Sequence, residues 1–368
     1  MADPRVTKLA QVLVNYSLKL QPGDTLFLST APLADELNLA VYKEALLAGA
    51  HTFALDRIPG AQELFLKHAS DAQLEYISPI YRIILEKFNA YLEIGAYHNT
   101  RELSGVDPAR QGVAKKAQAE LFTKMLERMA SGELKWCYTV YPTNASAQEA
   151  DMSLSEYEEF VYGAGLLHLD DPVAAWKEEA ARQQKLIDWL AGKDQVTLKG
   201  SHIDLTLSIK DRRFLSAAGT ENFPDGEIYS CPVESSVNGW VRFSYPAIYS
   251  GQEVIDIELW FEDGKIVKET AAKGQELLTS LLDTDEGSRF LGEWGIGTNY
   301  GIQRFTKNML FDEKLGGTIH LAMGSGFPEG GSENKSGLHW DMLCDMAESE
   351  VTVDGELFYK NGHFAVGL

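Results

Sequence analysis

Short apolar runs alternate with amphipathic stretches through the first half of the chain. The apolar runs predict buried strands at residues 24–30, 51–56, 90–94 and 134–140. The stretches between them have helical spacing and predict helices at residues 33–50, in several stretches up to residue 87, and at residues 112–130. Strands that alternate with helices predict an α/β domain whose mostly parallel sheet is covered on both faces.

The pattern changes near residue 195, where strands follow one another through tight turns. The predicted strands are residues 195–199, 203–209, 239–244, 254–262, 265–268, 318–323 and 338–343. The Asp263-Gly264 pair predicts a two-residue hairpin turn, because both residue types accept a positive φ. A predicted helix at residues 174–191 precedes these strands and bridges the two halves. We therefore expect an N-terminal α/β domain at residues 1–190 and a C-terminal α+β domain at residues 191–368.

Composition and charge exclude several classes of protein. The chain has 368 residues, of which 45% are hydrophobic, and a formal net charge of −21. Such a charge repels phosphate backbones and argues against a nucleic-acid partner. No apolar run is long enough to span a membrane, and the first residues lack the pattern of a secretion signal. Three widely spaced cysteines then predict a reducing, cytoplasmic location. The sequence has no glycine-rich phosphate loop, so no nucleotide cofactor is expected.

The chain contains three His-x-Asp pairs, and their surroundings distinguish them. The pairs that begin at His168 and His202 lie beside a predicted helix start and in a predicted turn, where a helix cap and a turn are simpler interpretations. The third pair, His339 and Asp341, lies in a predicted strand, where a spacing of two puts both side chains on one face. Burial of an unpaired imidazole or carboxylate is costly, so this pair needs partners.

His320 is the first candidate partner for this pair. It lies in the preceding predicted strand, and a loop with five glycines at residues 324–337 joins the two strands. Two imidazoles and a carboxylate form a partial ligand set for zinc, cobalt or manganese. The alternative is a hydrogen-bonded His–Asp pair that closes an apolar core. The residues alone leave both interpretations open.

Four segments of the second half, in this order, resemble the M29 family of metallo-aminopeptidases, the aminopeptidase T type. They are PDGEIYSCP at residues 224–232, LGE at residues 291–293, HLAMGSG at residues 320–326 and HWDM at residues 339–342. The resemblance implies that the C-terminal domain is catalytic and carries a dinuclear metal site. It also implies a homodimer that releases N-terminal amino acids from short peptides.

The resemblance further implies a set of five metal ligands. These positions are Glu227, Glu293, His320, His339 and Asp341. They would hold two divalent ions, zinc, cobalt or manganese, and lower the pKa of a shared water roughly from 15.7 towards 7. Glu293 and Asp341 are the candidate bridging ligands, because a carboxylate has two oxygens. Glu313 and Glu329 are the candidate general bases. Without the resemblance, Glu227 would be interpreted as a turn carboxylate and Glu293 as a solvated residue at a helix end.

The chain departs from the family pattern at Phe327. The family usually has a tyrosine there, seven residues after the first histidine, so its phenolic hydroxyl is missing at this position. Two alternative functions therefore stay open. One is a peptide- or metal-binding protein with reduced catalysis. The other is a dinuclear hydrolase of another amide or ester, because metal ligands do not encode the substrate.

Overall fold

The computed structural model describes residues 3–249 and 251–366, and the helices and strands within these ranges are as follows. The helices are α1 (Pro4–Val12), α2 (Asp35–Leu47), α3 (Ala61–His68), α4 (Asp71–Leu74), α5 (Pro79–Lys87), α6 (Pro108–Ala130), α7 (Asn144–Glu149), α8 (Leu154–Ala164), α9 (Pro172–Leu190), α10 (Gln275–Leu282) and α11 (Met309–Asp312). None of these helices is both long enough and apolar enough to cross a membrane. The strands are β1 (Thr25–Thr30), β2 (His51–Asp56), β3 (Ala90–Gly95), β4 (Lys135–Val140), β5 (Gln195–Gly200), β6 (Ile203–Ser208), β7 (Leu215–Ala217), β8 (Asn222–Phe223), β9 (Glu227–Ser230), β10 (Asn238–Arg242), β11 (Ala247–Tyr249), β12 (Gln252–Val254), β13 (Glu258–Glu262), β14 (Lys265–Thr270), β15 (Leu291–Gly297), β16 (Thr318–Gly324), β17 (His339–Asp345), β18 (Ser349–Val353), β19 (Glu356–Lys360) and β20 (His363–Phe364).

The first sheet is parallel and has the strand order β2-β1-β3-β4-β8. It confirms the predicted parallel sheet of an α/β architecture, and β1 to β4 match the four predicted strands. The sequence pattern did not predict β8, which has only two residues and comes from a distant part of the chain. Its carbonyl at Phe223 accepts a 2.7 Å hydrogen bond from the Thr139 hydroxyl, which ties it to β4.

Apart from β8, the strands after residue 194 form antiparallel sheets. One has the order β14-β13-β10-β6-β5-β18-β19-β20, another β17-β16-β15-β9-β7, and β11 pairs with β12. The predicted hairpin turn joins β13 to β14, with φ of 47° at Asp263 and 85° at Gly264. The prediction of one strand at residues 254–262 was wrong. The chain turns at Asp256, whose φ is 53°, so that β12 ends at Val254 and pairs with β11 instead.

Contacts between residues divide the chain into two compact units. One contains the chain up to Val173 together with Gly219–Pro224, and the other contains Ala174–Ala218 and the chain from Asp225 onward. Almost all of α9 therefore groups with the second unit, whereas the expected boundary at residue 190 assigned it to the first. The reason is packing, because Leu186 and Leu190 of α9 are buried in the core of the second unit.

The sheet β17-β16-β15-β9-β7 turns one face to that apolar core. The side chains that β15, β16 and β17 contribute to this core include Trp294 and Ile296 of β15, Ile319, Leu321 and Met323 of β16, and Trp340 and Met342 of β17. These are the positions that alternation in β16 and β17 assigns to the apolar face. Every residue of β15 and β16 is buried, so the opposite face of both strands is also inside the protein. Polar residues on that opposite face require partners.

Candidate metal centre

Strand pairing brings the two histidines and the aspartate to one face of the sheet. In the antiparallel register of β16 with β17, Ala322 is opposite Asp341 and Gly324 is opposite His339. His320 lies two residues before Ala322 on the same strand, and therefore on the same face. Small residues at 322 and 324 leave this face open above the strand, so the longer polar side chains converge over them.

The two glutamates reach the same face from β15 and β9. Glu293 is also opposite Ala322, after a shift of register between Leu291 and Glu293. Glu227 begins β9 and is opposite Gly297 of β15. Glu293 and Glu227 are only 4% and 6% exposed, which excludes a solvated helix-end or turn carboxylate. All five residues named by the resemblance thus lie together.

Glycines on β15 provide the space that these side chains occupy. A Cβ atom on Gly295 would lie 2.0 Å from Nε2 of His320, far inside van der Waals contact. A Cβ on Gly297 would lie 2.1 Å from the carbonyl oxygen of Leu315. Glycine at 295 therefore makes room for the imidazole, and glycine at 297 lets the neighbouring loop approach.

The five side chains form two groups that share Glu293. The first group is Glu227, Glu293 and His320, and the second is Glu293, His339 and Asp341, each with its ligand atoms within 4.8 Å of one another. His320 Nε2 lies 3.3 Å from Glu227 Oε2 and 3.4 Å from Glu293 Oε1. His339 Nε2 lies 3.4 Å from Glu293 Oε2 and 3.5 Å from Asp341 Oδ2. Glu293 therefore turns one oxygen to each group.

These atoms fit a divalent cation better than they fit one another. Glu227 Oε2 and Asp341 Oδ1 are buried and accept no hydrogen bond within the described part of the chain. Buried carboxylate oxygens without partners are costly. Carboxylate oxygens with imidazole nitrogens are the donor set of zinc and related ions. A hydrogen-bonded pair of His339 and Asp341 alone would leave Glu227 unexplained.

The tautomer of His339 also suits a metal ligand. Its Nδ1 lies 2.8 Å from the carbonyl oxygen of Ser325. A carbonyl oxygen only accepts, so Nδ1 donates and carries the proton. In the neutral imidazole, the Nε2 lone pair then faces Glu293 and Asp341. A metal-binding histidine usually donates its other ring N–H to a carbonyl or carboxylate, as Nδ1 of His339 does here.

The pKa shifts indicate that the buried carboxylates of the centre stabilise a positive charge between them. Burial favours neutral His339, but the Asp341 and Glu293 carboxylates outweigh it and raise its pKa to about 11. Burial likewise opposes ionisation of Asp341, yet His339 lowers its pKa to about 2. Burial raises the pKa of Glu227 and outweighs the opposing effect of the Lys314 and His320 charges. The carboxylates therefore stabilise protonated imidazoles in the absence of a metal ion. A bound metal ion would supply the positive charge instead.

The chain matches one known family over almost its whole length. The family model described as thermophilic metalloprotease (M29) matches residues 2–364. The chain belongs to the M29 family. This confirms the resemblance predicted from the four sequence segments, and membership of a metalloprotease family implies a bound divalent metal.

Two relatives of this M29 metalloprotease are similar to it along almost their full length. Aminopeptidase 2 of Geobacillus stearothermophilus is 29% identical over 413 residues, covering 100% of this chain and 99% of the relative. Aminopeptidase T of Thermus thermophilus is 27% identical over 397 residues, covering 96% of this chain and 95% of the relative. The solved structure titled wild-type AmpT from Thermus thermophilus has a TM-score of 0.85 at 24% identity and covers 99% of both chains. This structural similarity confirms the predicted fold.

The two candidate general bases of the M29 chain differ in their surroundings. Glu313 follows α11, is partly buried, and contacts Lys314, which in turn faces Glu227. Glu329 lies exposed in the short 3-10 turn Pro328–Gly330. No contact among the described residues joins Glu329 to the five candidate ligands. The geometry thus favours Glu313, which stays a prediction.

Phe327 lies at the edge of the candidate centre. Its ring is edge-on to His339 and to Tyr229, with 5.3 Å between ring centroids in each case. Tyr229 is opposite Gly295 and therefore shares the face of the candidate ligands. A phenol is thus present in the aromatic cluster, although it stands on β9 rather than at 327. Only strand pairing reveals this, so sequence reasoning missed Tyr229.

Sequence reasoning also missed Lys314 and Asp225. The Lys314 side chain is fully buried, and its Nζ lies 3.4 Å from Glu227 Oε1 and 3.9 Å from Asp225 Oδ1. Lysine is almost never fully buried unless it is paired with acids. Nothing in the local sequence distinguishes Lys314 from a surface lysine, because its burial depends on how the loop packs.

Asp312 provides a stability prediction that is independent of catalysis. Its Oδ1 accepts hydrogen bonds from the Thr306 amide and hydroxyl at 2.7 and 2.8 Å, while its Oδ2 has no partner within the described residues. Burial raises its pKa from 3.8 to about 7. Between these values the unfolded chain loses the proton and the folded chain keeps it, so stability falls as pH rises towards 7.

Asp312→Asn should remove this pH dependence. From pH 5 to pH 8, we expect the variant to gain about 2.5 kcal/mol relative to the parent protein, because about two pH units separate pH 5 from the folded pKa of about 7 and each unit corresponds to about 1.4 kcal/mol. Denaturant-induced unfolding at both pH values, in the same metal-containing buffer, measures the difference in the free energy of unfolding. The exposed turn variant Asp263→Asn is the control. A constant difference between Asp312→Asn and the parent protein would contradict the assignment.

Proposed function

We propose that this chain is a metal-dependent aminopeptidase that releases N-terminal amino acids from short peptides. The observation that carries the proposal is the pair of three-residue groups that share Glu293. Membership of the M29 family supports peptide-bond hydrolysis. The names of the relatives, aminopeptidase 2 and aminopeptidase T, support cleavage at the N-terminus.

We propose that the centre holds two divalent ions, zinc, cobalt or manganese. Glu227, Glu293 and His320 would hold one, and Glu293, His339 and Asp341 the other. When bound, such ions lower the pKa of a water and polarise a carbonyl oxygen. Glu293 suits a bridging role because each of its oxygens faces a different histidine. Asp341 belongs only to the second group, which gives its predicted bridging role less support.

The protein residues around the centre have separate tasks in this proposal. The buried carboxylates create a negative site that attracts the free ammonium of a peptide N-terminus. Glu313 would take the proton of the attacking water, directly or through one further water. The rings of Tyr229 and Phe327 line the edge of the centre beside His339.

A panel of substrates with free and blocked ends tests this function. We expect release of the first residue from tripeptides with a free amino group, and none after N-acetylation. Matched aminoacyl esters and amides go into the same assay, with a chelator as the control. Equal cleavage of acetylated peptides would contradict aminopeptidase action. Faster turnover of the esters would favour the other hydrolase, and bound metal without turnover would favour a binding protein.

We also propose that the protein is a cytoplasmic homodimer. Cys137, Cys231 and Cys344 are buried thiols that form no disulfide, which suits a reducing compartment. In the first unit, Leu47 and Ile58 expose 71% and 77% of their surface. Exposed apolar side chains of this kind mark association surfaces when they are contiguous. Light scattering behind a sizing column should give twice the mass of one chain, and a monomer at all concentrations would contradict the proposal.

A further inference from the structure

Lys314 lies inside a cluster of acidic side chains. Its side chain has 0% exposure, and it contacts the carboxylates of Glu227, Asp225 and Glu313. Removing one partner from a buried ion pair leaves an uncompensated charge and is strongly destabilising. Lys314 therefore holds three mutually repelling carboxylates in place.

The backbone fixes where the ammonium can reach. The Lys314 amide donates to the Phe311 carbonyl, and the Lys314 carbonyl accepts from the Asn299 amide, both at 3.1 Å. A Cβ on Gly297 would lie 2.9 Å from the carbonyl carbon of Lys314, so the loop packs directly on β15. Gly297 is opposite Glu227 in the sheet. The side chain of Lys314 thus approaches Glu227 from a fixed direction.

The two carboxylate oxygens of Glu227 face different partners. Oε1 lies 3.4 Å from Lys314 Nζ, while Oε2 lies 3.3 Å from His320 Nε2. Oε2 accepts no hydrogen bond within the described part of the chain. One oxygen is therefore committed to the ammonium, and the other faces the first group of candidate ligands.

We propose that Lys314 is a positioning residue that holds Glu227 so that only Oε2 is presented to a metal ion. The inference rests on the proposed function, because it takes Glu227, Glu293 and His320 as one metal position. A lysine that acted only through its charge would repel both ions, and its removal would tighten both positions. A positioning lysine affects the first position alone, because Glu227 is the one candidate ligand with which it forms an ion pair in the described part of the chain.

Metal affinity measured one position at a time tests the inference. His339→Ala removes a ligand of the second group and leaves the first, while Glu227→Gln does the reverse. Calorimetric titration of each metal-free variant with Co²⁺ gives one affinity per position. Adding Lys314→Met to His339→Ala should weaken binding about 10- to 100-fold, the usual effect of losing a group that orients a ligand. Adding it to Glu227→Gln should change affinity by less than about twofold.

Two further variants keep the test decisive. Glu313→Gln with Lys314→Met, in the His339→Ala background, removes one charge of each sign and keeps the net charge of the cluster. If Lys314→Met alone fails to fold, this variant should still fold, and it should show the same loss of affinity at the first position. Lys273→Met, at a lysine that is 60% exposed, should change nothing. Unchanged or tighter binding at the first position would overturn the role of Lys314. If His339→Ala itself binds no ion, the first metal position is overturned as well.

Discussion

Glu293→Gln should abolish both metal positions at once and lower kcat/KM by about 10³-fold or more. Glu293 is the one residue common to both groups of candidate ligands, and each of its oxygens faces a different histidine. An amide keeps the shape but replaces one ligand oxygen by an NH₂ that cannot bind a cation. Metal ions supply several kcal/mol of transition-state stabilisation, and each 1.36 kcal/mol is a factor of ten in rate.

Metal content and kinetics on the same preparation check this prediction. Glu293→Gln should bind less than one ion per chain under conditions where the parent protein binds two. His339→Ala should keep one ion, because Glu227, Glu293 and His320 remain. The exposed Glu286→Gln serves as the control and should retain full activity. Two bound ions in Glu293→Gln, or turnover within tenfold of the parent, would show that Glu293 does not bridge.

Gly295→Ala should disable the centre by adding a single methyl group. The new Cβ would lie 2.0 Å from Nε2 and 2.1 Å from Cε1 of His320. His320 is only 1% exposed, so its ring has little room to retreat and must turn away from the two glutamates. Overpacking of this kind typically costs about 1–3 kcal/mol of stability. Loss of the first metal position should lower kcat/KM by at least about 10²-fold.

Gly112→Ala is the matched control for this substitution. Gly112 lies in α6 and an added Cβ would meet no heavy atom within 4 Å. Alanine favours a helix by about 1 kcal/mol over glycine, so this variant should melt slightly higher and keep its activity. Co²⁺ affinity, melting temperature and kcat/KM of both variants make the comparison. Wild-type metal binding in Gly295→Ala would mean that His320 is not a ligand in the position described.

The residues alone predicted three of the five candidate ligands, because β16 and β17 alternate clearly. In both strands apolar side chains occupy every second position, so His320, His339 and Asp341 were assigned to the opposite face. β15 gives no such signal, because the sequence LGEWGIG has glycines where a polar face would be recognised. The missing side chain at Gly295 leaves the room that the His320 imidazole occupies. Glu293 and Glu227 were therefore identified only through the family resemblance.

Local patterns predicted the strands of the parallel sheet but not the contacts that join distant segments. β8 adds two residues to that sheet from beyond β7, and no periodicity can indicate so short a strand. The break at Asp256 was missed because its apolar neighbours continue the alternation through a residue with positive φ. Lys314 illustrates the same limit at the centre, since a single lysine carries no sequence signal of burial.

Titration of the metal-free protein with divalent cation, followed by release of the first residue from a tripeptide with a free amino end, tests the central claim most directly. The claim is that Glu227, Glu293, His320, His339 and Asp341 hold two ions that together support aminopeptidase action. Activity should rise with added Zn²⁺, Co²⁺ or Mn²⁺ and level off at two equivalents per chain. Release of the amino acid without any added metal, or no release at any number of equivalents, would contradict the claim.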